Sequence, residues 1–203
     1  MQLSTSFMSA VIGILAALAY IAAPFLQEEK KALAARIISE LLFALMFLYV
    51  GHLAGISYYL FLALSALFEK QIEHNRIFSF IYGIIACAVT LFLNNSGTPG
   101  IFLACSLVLI FLHLDENKYM SFSSYLDILT SVILLAYCLH AGAWAGVVFS
   151  LLLLASAIAG MVSAVKLTRA GGMKAAAAED RAYHKQQEQK KQERKAKKNA
   201  KKI

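Results

Sequence analysis

Charge is what the middle of this chain lacks. No Lys, Arg, Asp or Glu occurs in 77–114 or in 128–165. Each run is long enough for two bilayer spans at about 20 residues per span. A soluble domain of this length has too little interior to hide such stretches. Proline is nearly absent: Pro24 and Pro99 are the two it has, so little interrupts a helix once begun. Cysteine is scarce as well. Cys87, Cys105 and Cys138 all fall in apolar segments and none sits at CxxC spacing. They read as buried small hydrophobes, which argues against a disulfide framework or a cysteine metal centre. The spans hold no HExxH, no DxxD-type metal motif, no phosphate-binding glycine loop and no convergent nucleophile–base pair, so neither an enzyme nor a cofactor is expected. The start of the chain also lacks the positively charged region of a cleaved signal, so the first apolar run is expected to be a retained helix.

What is present is apolar. The 203 residues are 60% hydrophobic, with mean hydropathy +0.65, against roughly 45–50% apolar in soluble domains. Seven helices are expected, at 7–25, 34–51, 56–68, 77–93, 101–114, 125–139 and 144–166. Helices rather than sheet are demanded by lipid, because backbone amides in hydrocarbon must bond within their own segment. Tight turns are expected at 51–55 and 141–143, where glycines permit a sharp reversal, and a loop at 94–100. The third and fifth helices are short for a core of about 30 Å and call for local thinning.

Positive residues in short loops mark the cytoplasmic side. Lys30, Lys31 and Arg36 follow the first helix, Lys70 and Arg76 the third, Lys118 the fifth, and many more lie in the tail. The intervening turns have none. The alternation fits seven spans with the N-terminus outside and the C-terminus in the cytoplasm.

Helices two and three echo helices six and seven. Tyr49-Val50-Gly51-His52 precedes one tight turn and Tyr137-Cys138-Leu139-His140 the other, 88 positions later. Ala63-Leu64-Ser65-Ala66 is echoed by Leu154-Ala155-Ser156-Ala157. The expected fold is therefore an all-α membrane protein of seven transmembrane helices, built as two parallel three-helix repeats joined by a linker helix. Repeat one covers about 7–69, the linker about 77–93 and repeat two about 100–168. An odd-numbered unit inverts on direct repetition; the linker restores its orientation, giving an axis along the membrane normal.

This 3+1+3 plan resembles that of the SWEET and PnuC transporters. At sequence level the chain more closely resembles the YgjV-type bacterial inner-membrane proteins over about 8–168. The features are the apolar first helix with its charged linker, Gly51-His52, the Ala54-Gly55 turn, and His140 followed by Trp144-Ala145-Gly146. The resemblance implies a transporter-like fold in the bacterial inner membrane, without naming a substrate. The proline–glutamine pair of SWEETs is absent, since Phe25 follows Pro24, and so is their embedded asparagine in the third helices. Both departures speak against sugar transport by the SWEET mechanism.

Six residues are candidates for binding a substrate or ion. Glu40 and Asp127 are ionisable groups in spanning helices, costly at about 2.5–3.5 kcal/mol on insertion scales. They are expected either to floor a central cavity that takes a cation or proton, or to play local roles. In the local case Glu40 pairs with Arg36 one turn away and Asp127 caps the sixth helix. His52 and His140 suit a pH-sensitive outer gate, or else anchoring beside an aromatic belt of Tyr49, Tyr58, Tyr59, Tyr137 and Trp144. As a metal pair they lack supporting carboxylates or thiols. Ser65 and Ser156 suit close helix packing and are otherwise the polar candidates in the two third helices. Tyr82, Thr90 and Ser106 are further residues that could line a cavity, and Asn94 and Asn95 read as loop.

The segment 169–203 is different in kind. It is rich in Lys, Gln, Glu and Arg and carries no apolar stripe, so it reads as a charged cytoplasmic helix or a disordered tail. Anionic lipid head groups are its expected partner, at about 1 kcal/mol per basic residue near the surface; ribosomal RNA is the weaker alternative. The expected function is a small-molecule transporter or facilitator. The alternative is a non-transporting scaffold or biogenesis factor working through the tail. A second copy of the chain is a further candidate partner.

Overall fold

The computed structural model describes residues 2–26, 28–112 and 116–169. Among these are eight α-helices and no strand. They are α1 Gln2–Ala22, α2 Glu29–Val50, α3 Leu53–Leu67, α4 Glu69–His74, α5 Arg76–Phe92, α6 Thr98–Ile110, α7 Glu116–Ala141 and α8 Trp144–Arg169. The seven long ones fall where the seven apolar runs placed them. The basic tail lies outside the described residues.

The differences lie at the helix ends. Helices α2 and α7 begin at Glu29 and Glu116, well before their apolar runs. Lys and Glu propagate a helix almost as well as Leu, so hydropathy marks the oily part of a helix rather than its length. The six-residue α4 occupies the short charged loop expected between the third and fourth helices. Pro24 sits inside a 3-10 turn, Ala23–Phe25, that ends α1, where its missing N–H costs nothing.

Two turns reverse the chain in the same way. Gly51 (φ 85°) and Gly142 (φ 68°) hold left-handed backbone. The Gly51 N–H donates to the Leu48 carbonyl at 3.2 Å and the His52 N–H to that of Phe47 at 3.1 Å. The Gly142 N–H donates to Leu139 at 3.2 Å and the Ala143 N–H to Cys138 at 3.0 Å. These are glycine C-caps that use carbonyls left free at a helix end. The turns recur at a spacing of 91 residues, not at the 88 that separates the Tyr and His pairs. Gly51-His52-Leu53-Ala54-Gly55 thus aligns with Gly142-Ala143-Trp144-Ala145-Gly146.

Packing follows the same spacing. A Cβ on Gly55 would come within 2.5 Å of the Phe47 ring, and one on Gly146 within 2.8 Å of the Cys138 sulfur. Helices α2 and α3, and α7 and α8, approach closely at these two points, as small residues allow. Gly13 brings α1 against Ala145 of α8 and Met46 of α2. Consecutive long helices are neighbours around the bundle; α1 also meets α8, α3 meets α6, and α5 lies against α3 and α6.

Polar side chains stitch the helices internally. Ser39 Oγ donates to the Ala16 carbonyl (2.8 Å), Ser79 Oγ to Phe111 (2.8 Å) and Tyr82 Oη to Phe61 (2.7 Å), and Ser57 and Thr90 share a bond of 2.9 Å. The outer surface is apolar: Leu18, Leu48, Ile85, Phe92, Phe102 and Val148 all point outward. A surface so continuously apolar exceeds the patches a soluble monomer tolerates. Among the described residues, three helices are long and apolar enough to cross a membrane, over Thr5–Phe25, Lys30–Val50 and Trp144–Ser163. The apolar helices Leu53–Leu67, Arg76–Phe92, Thr98–Ile110 and Tyr125–Ala141 are shorter.

Candidate functional site

The bundle has two unlike ends. The turn end carries residues 51–52, 94–97 and 142–143. The opposite, charged end carries Leu26, Glu28 and residues 69–75.

A cavity of about 390 Å³ opens in the interior toward the charged end. Every long helix except α5 contributes to its wall: Tyr20 from α1; Arg36 and Glu40 from α2; Tyr58, Tyr59 and Leu62 from α3; Ile110 from α6; Asp127, Thr130, Ser131 and Leu134 from α7; and Phe149, Leu153, Ser156, Ala157 and Gly160 from α8. The volume lies at the lower end of ordinary small-molecule sites, roughly 300–1,000 Å³.

Glu40 is the chemically unusual wall residue. It is 5% exposed. Among the described residues its carboxyl makes no hydrogen bond or ion pair. The expected bridge from Arg36 is not formed: Arg36 Nη1 lies 3.4 Å from Glu69 Oε1, half-exposed at the charged end. Arg36 stays close enough to act on Glu40 through space. A buried carboxyl without a hydrogen-bonding partner is expensive to keep charged. The Tyr59 hydroxyl is likewise buried without a partner. Around these two groups the aromatic wall is continuous. Tyr20 meets Phe149 edge-on at 5.0 Å between ring centroids, and Tyr58 meets Tyr59 edge-on at 5.2 Å. Phe43 lies behind, 4.9 Å from Tyr59 and 4.6 Å from Phe149.

Of the six sequence candidates, the cavity gathers Glu40, Asp127 and Ser156. Asp127 does not cap its helix, because α7 starts at Glu116 and Asp127 sits well inside it. Ser65 is elsewhere: it bonds its own helix through the Leu62 carbonyl at 2.7 Å. Tyr82, Thr90 and Ser106 do not line the cavity either; their hydroxyls are used in helix contacts, Ser106 on the Leu103 carbonyl at 2.7 Å. Sequence reasoning missed Tyr20, Tyr58, Tyr59 and Phe149 as cavity wall. The aromatic-belt expectation fails for Tyr58, Tyr59 and Tyr137, which are buried, and only Tyr49 and Trp144 are exposed. Of the cysteines only Cys138 is buried, while Cys105 faces outward.

The histidines meet at the turn end. His52 and His140 lie edge-on with ring centroids 6.1 Å apart, and His52 stands equally far from Tyr137. His52 Nδ1 is 2.6 Å from Ser96 Oγ, which is 3.3 Å from the Tyr137 hydroxyl. Asn95 ties the same loop down. Its Oδ1 accepts from the Leu53 N–H (2.9 Å) and its Nδ2 donates to the Gly51 carbonyl (2.8 Å). Asn94 shapes the loop by accepting from the Ser96 N–H at 2.9 Å and donating to the Gly97 carbonyl at 2.8 Å. Partial burial, and then the neighbouring His140, push the His52 pKa below its ordinary 6.5. Among the described residues no group of three His, Cys, Asp or Glu forms, so the histidine pair gains no further metal ligand.

In comparison with known proteins, no family model, curated protein or solved structure matches this chain.

Proposed function

We propose that this chain is a seven-span inner-membrane transporter or facilitator of a small molecule, with the cavity around Glu40 as its substrate site. The cavity carries the reading: it is walled by both halves of the chain and holds a buried acid without a partner. An intramembrane ionisable group most often marks a substrate or proton path.

The spans are the seven long helices. The short ones, such as the 13-residue α6, rise only about 20 Å at 1.5 Å per residue, and the bilayer thins or flanking residues snorkel to meet them. Two three-helix units, α1–α3 and α6–α8, are related by an offset of 91 residues, with α5 as the linker. The paired glycine turns and the paired contacts Gly55–Phe47 and Gly146–Cys138 support this. So do cavity positions that pair at the same offset: Arg36 with Asp127, Glu40 with Ser131, Tyr58 with Phe149, and Leu62 with Leu153. The first helix of each unit also touches the third helix of the other, the pattern a two-fold axis along the membrane normal requires. This is the SWEET- and PnuC-like plan, with YgjV-type proteins as the proposed kin.

The charged end faces the cytoplasm under the positive-inside rule, so the cavity is open inward. The Asn95–Ser96 latch and the histidine pair close the outer end. Transport requires the two units to rock until this latch parts and the inner mouth shuts. The test is solute uptake into proteoliposomes across sugars, amino acids, vitamins and amines. Flux that saturates, and that is lost on filling the cavity, supports the proposal; absence of flux for every class removes it. Deleting 170–203 leaves flux intact in a transporter.

A further inference from the structure

Resting on the transporter reading, we infer that the cavity takes a compact organic cation: an ammonium group seated against Glu40, with its apolar body along the aromatic wall. Two observations point the same way. The first is electrostatic. The Glu40 carboxyl is 5% exposed and unpartnered, while the nearby guanidinium of Arg36 is held by Glu69 at 3.4 Å. Asp127 is a second carboxyl in the cavity wall. A positive guest supplies the partner that the protein withholds, and a buried acid needs one.

The second observation is the wall. Tyr20, Tyr58, Tyr59 and Phe149 all border the cavity. Aromatic faces beside a carboxylate attract ammonium groups, and desolvation strengthens the attraction. A neutral sugar suits the site poorly, because the wall offers few polar side chains for its many hydroxyls. An anion would face the buried Glu40 carboxyl. The volume of about 390 Å³ sets the guest's size at the small end of drug-like ligands.

The experiment uses the full chain purified in detergent, with calorimetric titration of three probes. These are choline, phenethylammonium and 3,3-dimethylbutanol, the neutral isostere of choline. At least one cation should bind, and the neutral isostere should bind about tenfold more weakly or less. Glu40→Gln keeps the shape of the acid and should cost on the order of tenfold in cation affinity, as expected for a charge-assisted contact. Glu40→Asp should recover part of it. Tyr20→Leu is the second variant: it removes one aromatic face of the cavity and should weaken both cations severalfold while leaving the neutral isostere unchanged; an equal loss for cation and isostere counts against the inference. Equal binding of 3,3-dimethylbutanol and choline, or undiminished cation affinity in Glu40→Gln, overturns the inference. If neither cation binds while proteoliposomes still carry a neutral or anionic solute, the cation inference falls and the transporter reading stands. If no probe binds and no solute crosses, both fall.

Discussion

Near the turn end of the bundle, Ser96 links two side chains and the helix glycines Gly55 and Gly146 are pressed against neighbours; in the cavity toward the charged end, Glu40 stands without a hydrogen-bonding partner and Gly160 faces open space. Gly13, Gly55 and Gly146 leave no room for a Cβ, whereas Gly160 has nothing within 4 Å. Ser96 reaches both His52 and Tyr137, whereas Glu40 and the Tyr59 hydroxyl reach no partner. The interior is thus closely packed around Gly13, Gly55 and Gly146 and open around Gly160, where the cavity lies. Well-packed interiors are the default, and unsatisfied buried polar groups are rare, so the open region is the one that needs a functional reason.

The largest expected effect comes from removing the contrast. Ala157→Trp places an indole in the cavity and should abolish proteoliposome uptake while leaving a folded, monodisperse protein, because empty volume absorbs the ring. Unimpaired uptake would divorce the cavity from transport.

Next comes a pair of substitutions with opposite signs. Gly13→Ala forces apart α1 and α8 at Ala145, where backbone must move, and should cost about 1–3 kcal/mol by overpacking. Gly160→Ala gains helix propensity without a clash and should stabilise by up to about 1 kcal/mol. Thermal unfolding in one detergent reads both. A similar loss from each would mean that the two regions are equally packed.

A smaller effect is expected at the latch. Asn95→Ala deletes the bonds to Gly51 and Leu53, and the weaker one from Ser96, at the surface and should cost about 1 kcal/mol. It should also raise solvent exchange at the Leu53 amide. No change in exchange there would show that the loop does not hold the turn.

Acid should act on the same end, and least of all. The folded His52 pKa is lowered, chiefly by burial, so near and below 6.5 the unfolded chain takes up this proton more readily than the folded one. Stability is therefore complete above that pH and falls as pH drops through the window. His52→Gln should flatten this slope when unfolding midpoints are compared at pH 5 and 7.5. An identical slope in the variant would place the acid sensitivity elsewhere.

The helices were legible because charge-free runs and glycine punctuation speak directly about lipid and turns. The register of the internal echo was not. Tyr49/Tyr137 and His52/His140 match by residue type at 88 but Ser65/Ser156 at 91, and the two left-handed glycine turns, Gly51 and Gly142, share the second spacing. Glu40 and Asp127 stood out as charges in an apolar field. The aromatic wall did not, since in a chain with 13 Phe and 9 Tyr nothing in residue type separates a lipid-facing ring from a cavity-facing one. Arg36 was assigned to Glu40 by helix spacing; its real partner Glu69 lies on α4, a helix that hydropathy could not reveal.

Sided labelling of the cavity is the most direct measurement. With Cys87, Cys105 and Cys138 replaced by alanine, Ser156→Cys is exposed to a membrane-impermeant thiol reagent in right-side-out and inside-out vesicles. Rapid labelling from the cytoplasmic side and slower, substrate-dependent labelling from the outside is the expected result. Labelling confined to one side under every condition, with or without transported solute, would make the hollow a pocket and not a passage.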